Sequence, residues 1–162
     1  MTAEQRVEQL EQSVERLIEE IERLPADALY RAPMEGEWPV MSLLAHVAEI
    51  LPYWAHQAEN IVRAPGEPFG RMLDDPDRVG AVAQHGHDAV STIVPRIRSG
   101  LADCVRTLRA LPADGWQQAG LHPMRGMMTV EQVVDTFLVS HVEDHAAQTA
   151  TTLKTLGATS AG

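Results

Sequence analysis

The sequence predicts an all-α protein, an antiparallel four-helix bundle formed by a single domain over residues 1–162. Apolar residues recur at intervals of three and four through four long segments, which is the period of one buried helix face. A helix–loop–helix pattern also occurs twice, because the tetrapeptide Leu-Pro-Ala-Asp at 24–27 recurs at 111–114. No alternating strand pattern competes with this interpretation.

Most of the predicted helix boundaries have a local reason. Pro25 ends the first helix, Pro39 suits the first turn of the second, and Thr129 with Gln132 forms a capping box at the start of the fourth. Pro52 should kink the second helix because it removes one backbone hydrogen bond. The predicted helices cover 3–24, 39–62, 89–111 and 129–156. An irregular connection is expected at about 64–80, with a short helical piece at 77–85 that begins within it, and a frayed tail at 157–162.

Composition argues against several classes of partner. The formal net charge of -10 argues against nucleic acid, since binding phosphates needs a basic patch, and it disfavours anionic membrane surfaces for the same reason. The polar N-terminal residues do not resemble a secretory signal, and no apolar run approaches the roughly 18–20 residues of a membrane span. The single cysteine, Cys104, fits a reducing compartment, so we expect a cytoplasmic protein.

Three histidines fall on apolar helix faces. His141 and His145 are four residues apart, so they lie one above the other, and they continue an apolar stripe from Val130 to Leu138. His46 lies on the apolar face of the second helix, which holds the equivalent place in the repeat. Three imidazoles would leave a fourth position on a divalent metal open, as in catalytic sites. The residues alone leave a second possibility open, namely core histidines hydrogen-bonded to backbone or carboxylate groups.

Two segments resemble a known family. Residues 36–49, Gly-Glu-Trp-Pro-Val-Met-Ser-Leu-Leu-Ala-His-Val-Ala-Glu, resemble the Trp-x-Val…Leu-x-His-(Leu/Val)-Ala-(Asp/Glu) signature of the DinB/YfiT-like superfamily, although Pro39 stands where a serine or threonine cap is common. Residues 129–131 and 141–148 resemble the terminal helix of that family. The resemblance implies a four-helix bundle, often a homodimer, with a divalent metal such as zinc or nickel bound by His46, His141 and His145.

Four further residues are candidates for the surroundings of the site. Glu49 lies three residues after His46, where a carboxylate could orient a ligand imidazole, act as a base or simply face solvent. Tyr53 lies near the same helix face. Arg63 and Arg71, on either side of the Pro/Gly-rich connection, could bind an anionic substrate group through bidentate hydrogen bonds, although surface arginines are the more frequent case.

Other polar residues have simpler interpretations. His85 and His87 are two residues apart and would point to different sides of a helix, so we expect a loop there rather than a second metal site. Cys104 lies in the third helix stripe without a neighbouring base, which favours a packed core thiol. His122 has no identifiable partner. The tryptophans are expected to pack in the core, with Trp54 a candidate for the pocket mouth.

The resemblance also bears on activity. The superfamily includes metal-dependent transferases and isomerases that use low-molecular-weight thiols such as mycothiol or bacillithiol, and many members without a known activity. An open metal position would stabilise a thiolate at neutral pH, and that thiolate could attack a small electrophile. The leading hypothesis is a metal-dependent thiol S-transferase. The alternatives are a metal-dependent hydrolase and a non-catalytic, stress-associated metal-binding dimer.

Overall fold

Four long helical segments dominate the computed structural model, which describes residues 1–157. The elements, in chain order, are α1 (Ala3–Glu22), α2 (Val40–Arg63), α3 (Pro76–His85), α4 (Val90–Ala110), strands β1 (Ala119–His122) and β2 (Gly126–Thr129), α5 (Val130–Val134), a π-helical turn (Asp135–Val139) and α6 (Ser140–Thr155). The predicted four-helix bundle is confirmed. The predicted tail, apart from Gly157, lies outside the described residues.

The bundle surrounds one apolar core. Helices α1 and α2 each pack against both α4 and α6, and α2 also carries α3 on its flank. The stripe of residues that each long helix turns inward supplies this core, and its largest fully buried members include Leu10, Leu17, Ile18, Leu44, Ile50, Leu51, Ile61 and Ile93. Within residues 1–157, no helix combines the length and the apolar character needed to cross a bilayer.

Both copies of the Leu-Pro-Ala-Asp tetrapeptide fold in the same way. Each follows a long helix and opens a short 3-10 helix, Ala26–Tyr30 in the first half and Ala113–Gln117 in the second. The prolines before these turns have ψ angles of 130° at Pro25 and 150° at Pro112, so the chain leaves the helical conformation at the same step of the motif. The internal repeat in the sequence is therefore also a repeat of local structure.

Pro52 lies inside α2, which continues past it to Arg63. The proline leaves the carbonyl of Ala48, four residues earlier, without its helical donor. Gly100 of α4 lies against this point, because a Cβ added there would be 3.1 Å from the Ala48 carbonyl oxygen and 3.3 Å from Pro52 Cδ. The missing side chain allows the α4 backbone to approach the irregular turn of α2 closely. The bundle thus accommodates Pro52, which follows the fully buried Ile50 by two residues.

A two-stranded antiparallel hairpin stands where no strand was expected. The expectation was wrong because the apolar residue of β1 lies on its exposed face. Gly120 and His122 are the buried residues of β1, whereas the apolar Leu121 is 44% exposed, and Met127 on β2 is 57% exposed. A strand of four residues with glycine and histidine inside does not show the apolar-in, polar-out pattern by which a half-buried strand is predicted.

The connection that follows α2 anchors this hairpin. The N–H of Leu121 donates to the Glu67 carbonyl and its own carbonyl accepts from the N–H of Phe69, both at 3.0 Å. A Cβ at Gly120 would lie 2.9 Å from Phe69 Cδ1 and 3.0 Å from Ile61 Cγ1, so only glycine permits this approach. The hairpin is therefore stabilised by contacts between segments distant in sequence.

The sequence predicts one regular helix over 129–156, but the structure interrupts this helix with a π-helical turn. The π-helical turn at Asp135–Val139 adds one residue to a turn and so rotates the segment that follows it. The fully buried stripe passes from Leu138 to Val142, and His141 and His145 lie half-buried at its side. The π turn therefore aims the two histidines beside the core rather than into its centre.

A tertiary ion pair holds the π turn. Arg6 of α1 donates from Nε and Nη2 to the two carboxylate oxygens of Asp135, at 2.7 and 3.1 Å. Its side chain is 8% exposed and also contacts Glu131 at 3.3 Å. Such a bidentate pair fixes both position and orientation, which the local sequence around Asp135 does not reveal.

Candidate metal centre

Helices α2 and α6 bring three imidazoles together at one side of the bundle. His46 is 1% exposed, while His141 and His145 are half-buried and one turn apart. His46 Nε2 lies 3.3 Å from His141 Nε2, and one nitrogen of each ring lies within 4.8 Å of the other two. Two nitrogens bound at about 2.0–2.1 Å to one tetrahedral zinc ion are themselves about 3.3 Å apart, so the spacing suits a shared divalent ion.

The outer ring nitrogens fix which atoms are free to bind. Gln148 Oε1 lies 3.3 Å from His145 Nδ1 and can only accept, so the neutral ring of His145 carries its proton on Nδ1. His145 Nε2 is then a bare lone pair, buried and without a partner among residues 1–157. On α2, His46 Nδ1 faces the Glu49 carboxylate at 3.9 Å. A buried polar atom without a partner is costly, and a metal ion would satisfy it.

Burial keeps the three rings uncharged. It is the main cause that lowers the pKa of His46 to about 3 and the pKa of His141 to about 4, with repulsion from the neighbouring histidines adding to it. Burial also lowers the pKa of His145. At neutral pH all three therefore hold a free lone pair, which is the state that metal binding requires.

Glu49 links the histidines to a buried arginine. Its two carboxylate oxygens lie 2.6 and 2.7 Å from Arg71 Nη2, and the Arg71 guanidinium lies 3.8 Å above the ring of Tyr53. Asp75 adds a second carboxylate 3.7 Å from Arg71 Nη1. Burial raises the pKa of Tyr53 to about 12, so its phenol stays neutral. The network holds the Glu49 carboxylate beside His46.

A cavity of about 600 Å³ opens in front of His46 and His141. Trp54 and Phe137 form one wall and stack with ring centroids 4.0 Å apart and planes 9° apart. Arg78 of α3 and the tip of the β1–β2 hairpin also line this cavity. The size and the mixed apolar and charged lining are those of a small-molecule site.

His145 lies at a second opening, a wider depression of about 670 Å³ on the other side of the cluster. Trp38 and Gln148 line this depression, and the Trp38 ring packs edge-on against His46 with centroids 5.7 Å apart. The three imidazoles therefore separate two surfaces of the protein. The first cavity is the more enclosed of the two and has the aromatic wall.

The candidates from the sequence separate into two groups. Glu49, Tyr53 and Arg71 lie together beside the histidines, as the preceding contacts show. Arg63 does not: it hydrogen-bonds Asn60 and lines a separate, smaller pocket at the end of α2. Arg71 lines the cavity; its Nη2 is bonded to Glu49, while its Nε and Nη1 have no hydrogen-bond partner among residues 1–157.

The residues given simpler interpretations also have defined places. His85 Nδ1 contacts Asp88 at 2.8 Å, away from the cluster. Cys104 is fully buried, and burial raises the pKa of its thiol to about 12. Trp54 is 6% exposed and is one of the residues that line the cavity.

Sequence reasoning missed several residues around the site. Gln148 carried a signal, because it lies one turn after His145 on the same helix face. Arg78 lies on a short exposed helix that is close to the histidines only in the folded chain. His122 and Arg125 lie on the hairpin that the sequence did not predict. For these three no local pattern could have found the site.

The sequence profile of the DinB superfamily matches residues 9–149. This chain belongs to the DinB superfamily. The match includes both segments that carry the resemblance in the sequence and all three histidines, and it leaves out only the two ends of the chain. Among curated proteins, none gives a significant match.

Solved structures extend the comparison to the whole fold. YfiT from Bacillus subtilis, a probable metal-dependent hydrolase with an unusual four-helix bundle topology, matches with a TM-score of 0.76 at 14% identity, over 96% of this chain and 87% of YfiT. The mycothiol-dependent maleylpyruvate isomerase matches with a TM-score of 0.69 at 16% identity. That match covers 91% of this DinB-superfamily chain but only 60% of the isomerase. At these identities the likeness shows the fold alone.

Proposed function

We propose that this DinB-superfamily protein is a divalent-metal-dependent transferase that joins a low-molecular-weight thiol, of the mycothiol or bacillithiol type, to small electrophilic molecules. The proposal is carried by the convergence of His46, His141 and His145 at the wall of a cavity of about 600 Å³. Neutral imidazoles suit zinc or nickel, and three of them leave a position for a further ligand.

The chemistry supplied by such an ion is Lewis acidity, which stabilises the anion of a thiol at neutral pH. The protein's own residues prepare the site for it. Gln148 hydrogen-bonds the ring of His145, and the Glu49 carboxylate, 3.9 Å from His46 Nδ1, is placed to orient the second ring. The stacked wall of Trp54 and Phe137 excludes water from one side of the cavity. An electrophile with an apolar part can lie against this wall, next to the thiol.

The isomerase match supports a thiol as co-substrate, because that enzyme depends on mycothiol and shares the fold over 91% of this chain. Since this chain spans only 60% of the isomerase, isomerisation itself is not proposed. We also propose the homodimer that the family resemblance implies. Sedimentation equilibrium at micromolar concentration tests it, and a monomer mass there would contradict it.

A metal-dependent hydrolase is the second candidate, favoured by the match over 87% of YfiT. The same three histidines would then serve to lower the pKa of a water molecule toward about 7, as metal ions in hydrolases do. The two candidates differ in one requirement that can be measured, which is the dependence of turnover on added thiol. A protein that binds metal but turns over no substrate would fit the non-catalytic alternative.

The test combines metal loading with turnover. Protein loaded with cobalt is titrated with mycothiol, bacillithiol and cysteine, and a thiolate-to-cobalt charge-transfer band is expected. Turnover of 1-chloro-2,4-dinitrobenzene should require one of these thiols and be lost in His145→Ala. His87→Ala, which removes an exposed histidine outside the cluster, is the matched control. Thiol-dependent turnover that survives His145→Ala would contradict the transferase, and ester hydrolysis without thiol would favour the hydrolase.

A further inference from the structure

The tip of the β1–β2 hairpin forms part of the cavity wall. His122, Met124 and Arg125 from this tip all line the cavity that His46 and His141 face. Sequence reasoning gave His122 no partner, and the metal site does not use it. Its ring is 5% exposed, in contact with the aromatic wall.

The backbone of the hairpin sets the tautomer of His122. The N–H of Met124 lies 3.2 Å from His122 Nδ1 and, as an amide, can only donate. Nδ1 is therefore the acceptor, and the neutral ring carries its proton on Nε2. Burial, with Arg125 adding repulsion, lowers the pKa of His122 and so keeps the ring neutral at pH 7. The result is one fixed N–H donor, which takes part in no hydrogen bond among residues 1–157.

Gly70 packs against the ring of His122. A Cβ added at Gly70 would lie 3.2 Å from His122 Nε2, 2.8 Å from its Cδ2 and 3.4 Å from Trp54 Cζ3. Gly70 has φ +80°, which other residues rarely adopt. Any side chain at this position would press on the imidazole edge, so the glycine lets the chain pack closely against His122. His122 itself lines the cavity, where its Nε2–H is the ring atom left for a ligand.

Aromatic rings surround the His122 donor. The rings of Trp54 and Phe137 are stacked, and the His122 ring lies 5.2 Å from Phe137 at an interplanar angle of 26°. The Arg125 guanidinium carbon lies 5.4 Å from the Phe137 ring centroid. One charged donor and one neutral donor therefore border the same aromatic surface.

The charges lining the cavity favour a single negative charge. Arg71 is neutralised by Glu49 and Asp75, as described above. Arg78 and Arg125 then face one carboxylate in the lining, that of the exposed Asp144. Within the described residues, Arg125 forms no ion pair. In a protein of net charge -10, this excess of one positive side-chain charge, counted apart from the metal ion and its thiolate, matches a monoanion such as a carboxylate.

We propose that the hairpin tip binds the carboxylate of a small organic acid, with Arg125 and the Nε2–H of His122 as the two donors and with Trp54 and Phe137 as apolar neighbours in the cavity lining. The inference rests on the proposed function, in that it takes this cavity as the substrate chamber and gives the electrophile an acid group. Arg125 would supply the charge-assisted bond, which is the stronger kind, and His122 would set the orientation.

The test uses the full-length, metal-loaded protein and benzoate as the probe, with benzyl alcohol as the uncharged analogue. Isothermal titration should show benzoate binding and at least about tenfold weaker binding of benzyl alcohol, the ratio expected for one charge-assisted hydrogen bond. Arg125→Gln should weaken benzoate about tenfold or more. His122→Phe keeps a ring in the wall and should weaken it about threefold to tenfold. Arg106→Gln removes an exposed arginine of α4 and should leave it unchanged.

One further variant separates this inference from the metal site. Benzoate binding that persists in His141→Ala and falls in Arg125→Gln supports the hairpin as the carboxylate site, even if the transferase proposal fails. Binding lost in His141→Ala but kept in Arg125→Gln overturns the inference, because the anion then binds to the metal. Equal affinity of wild type, Arg125→Gln and His122→Phe, or no benzoate binding to the wild type, also overturns it.

Discussion

The two halves of the chain follow one plan and reach the site by different routes. Each half runs from a long helix through Leu-Pro-Ala-Asp and a 3-10 helix to a histidine-bearing helix. In the first half an irregular loop leads to α2, whose N-cap, Pro39, has no side-chain hydrogen bond to the helix. In the second half the hairpin leads to α5, which begins with the capping box of Thr129 and Gln132.

The two halves share the spacing between a ligand histidine and its polar neighbour, but they differ in where the helix is irregular. Glu49 follows His46 by three residues and Gln148 follows His145 by three, so each half places a polar group one turn beyond a histidine. The first half has its irregular turn after the histidine, at Pro52, and the second has the π turn before its histidines. The comparison teaches that helix periodicity sets the spacing of each histidine and its polar neighbour, whereas the unlike irregular turns and connections set how the histidines are aimed and shape the cavity around them.

The strongest test of the shared plan removes one ligand from each half. His46→Ala and His141→Ala should each reduce bound zinc from about one ion per chain to a small fraction, because two imidazoles do not complete the three-ligand set of an open zinc site. Mass spectrometry of the dialysed proteins measures the metal. His56→Ala, on an exposed face of α2, should keep its metal. A stoichiometric ion in His46→Ala would show that the second half binds metal alone.

Glu49 and Gln148, the polar groups beside the ligand histidines, should contribute unequally to zinc affinity. Glu49→Gln should weaken zinc binding about 10–100-fold, as the loss of groups that orient metal ligands commonly does, since it removes the carboxylate held beside His46 by Arg71. Gln148→Ala should weaken it less, because the neutral amide forms only one bond of 3.3 Å. Competition with a chelating dye gives both constants. Glu59→Gln, exposed on α2, is the control, and equal loss in all three variants would contradict the prediction.

The irregular turn of the first half should be sensitive to one methyl group. Gly100→Ala should lower the free energy of unfolding by about 1–2 kcal/mol, because the new Cβ would press on the Ala48 carbonyl and the rigid Pro52 ring. Gly80→Ala is the matched control in α3, where the added Cβ meets nothing within 4 Å. It should raise the free energy of unfolding by about 0.5–1 kcal/mol. Urea titrations measure both, and stabilisation by Gly100→Ala would refute the close approach of the helices.

The irregular turn of the second half should depend on α1. Arg6→Gln should lower the free energy of unfolding by about 1 kcal/mol, since it removes the bidentate pair with Asp135, a carboxylate that is 38% exposed and so partly screened by water. Arg98→Gln, whose pair with Glu15 is half-exposed on both sides, should change stability little. Urea titration again decides. Equal effects of the two substitutions would mean that the π turn does not need Arg6.

The sequence predicted the helices and their apolar faces well, for a physical reason. A stripe such as Leu10, Val14, Leu17 and Ile21 repeats with the helical period whatever the helix packs against, so each helix and its inner face can be recognised locally. The hairpin could not be recognised, because His122 and a glycine form its buried face and its bonds go to a distant loop. The π turn was missed because its partner, Arg6, is far away in the sequence.

By itself the sequence determined the fold class, the family and the helix faces that carry the three histidines. These follow from local periodicity, capping and short motifs, which act between residues a few positions apart. Only the tertiary structure decided that the three imidazole nitrogens meet within 4.8 Å, that Arg71 forms an ion pair with Glu49, and that Arg63 lines a separate pocket. It also placed the hairpin tip at the cavity. These depend on how distant segments pack, which no local pattern encodes.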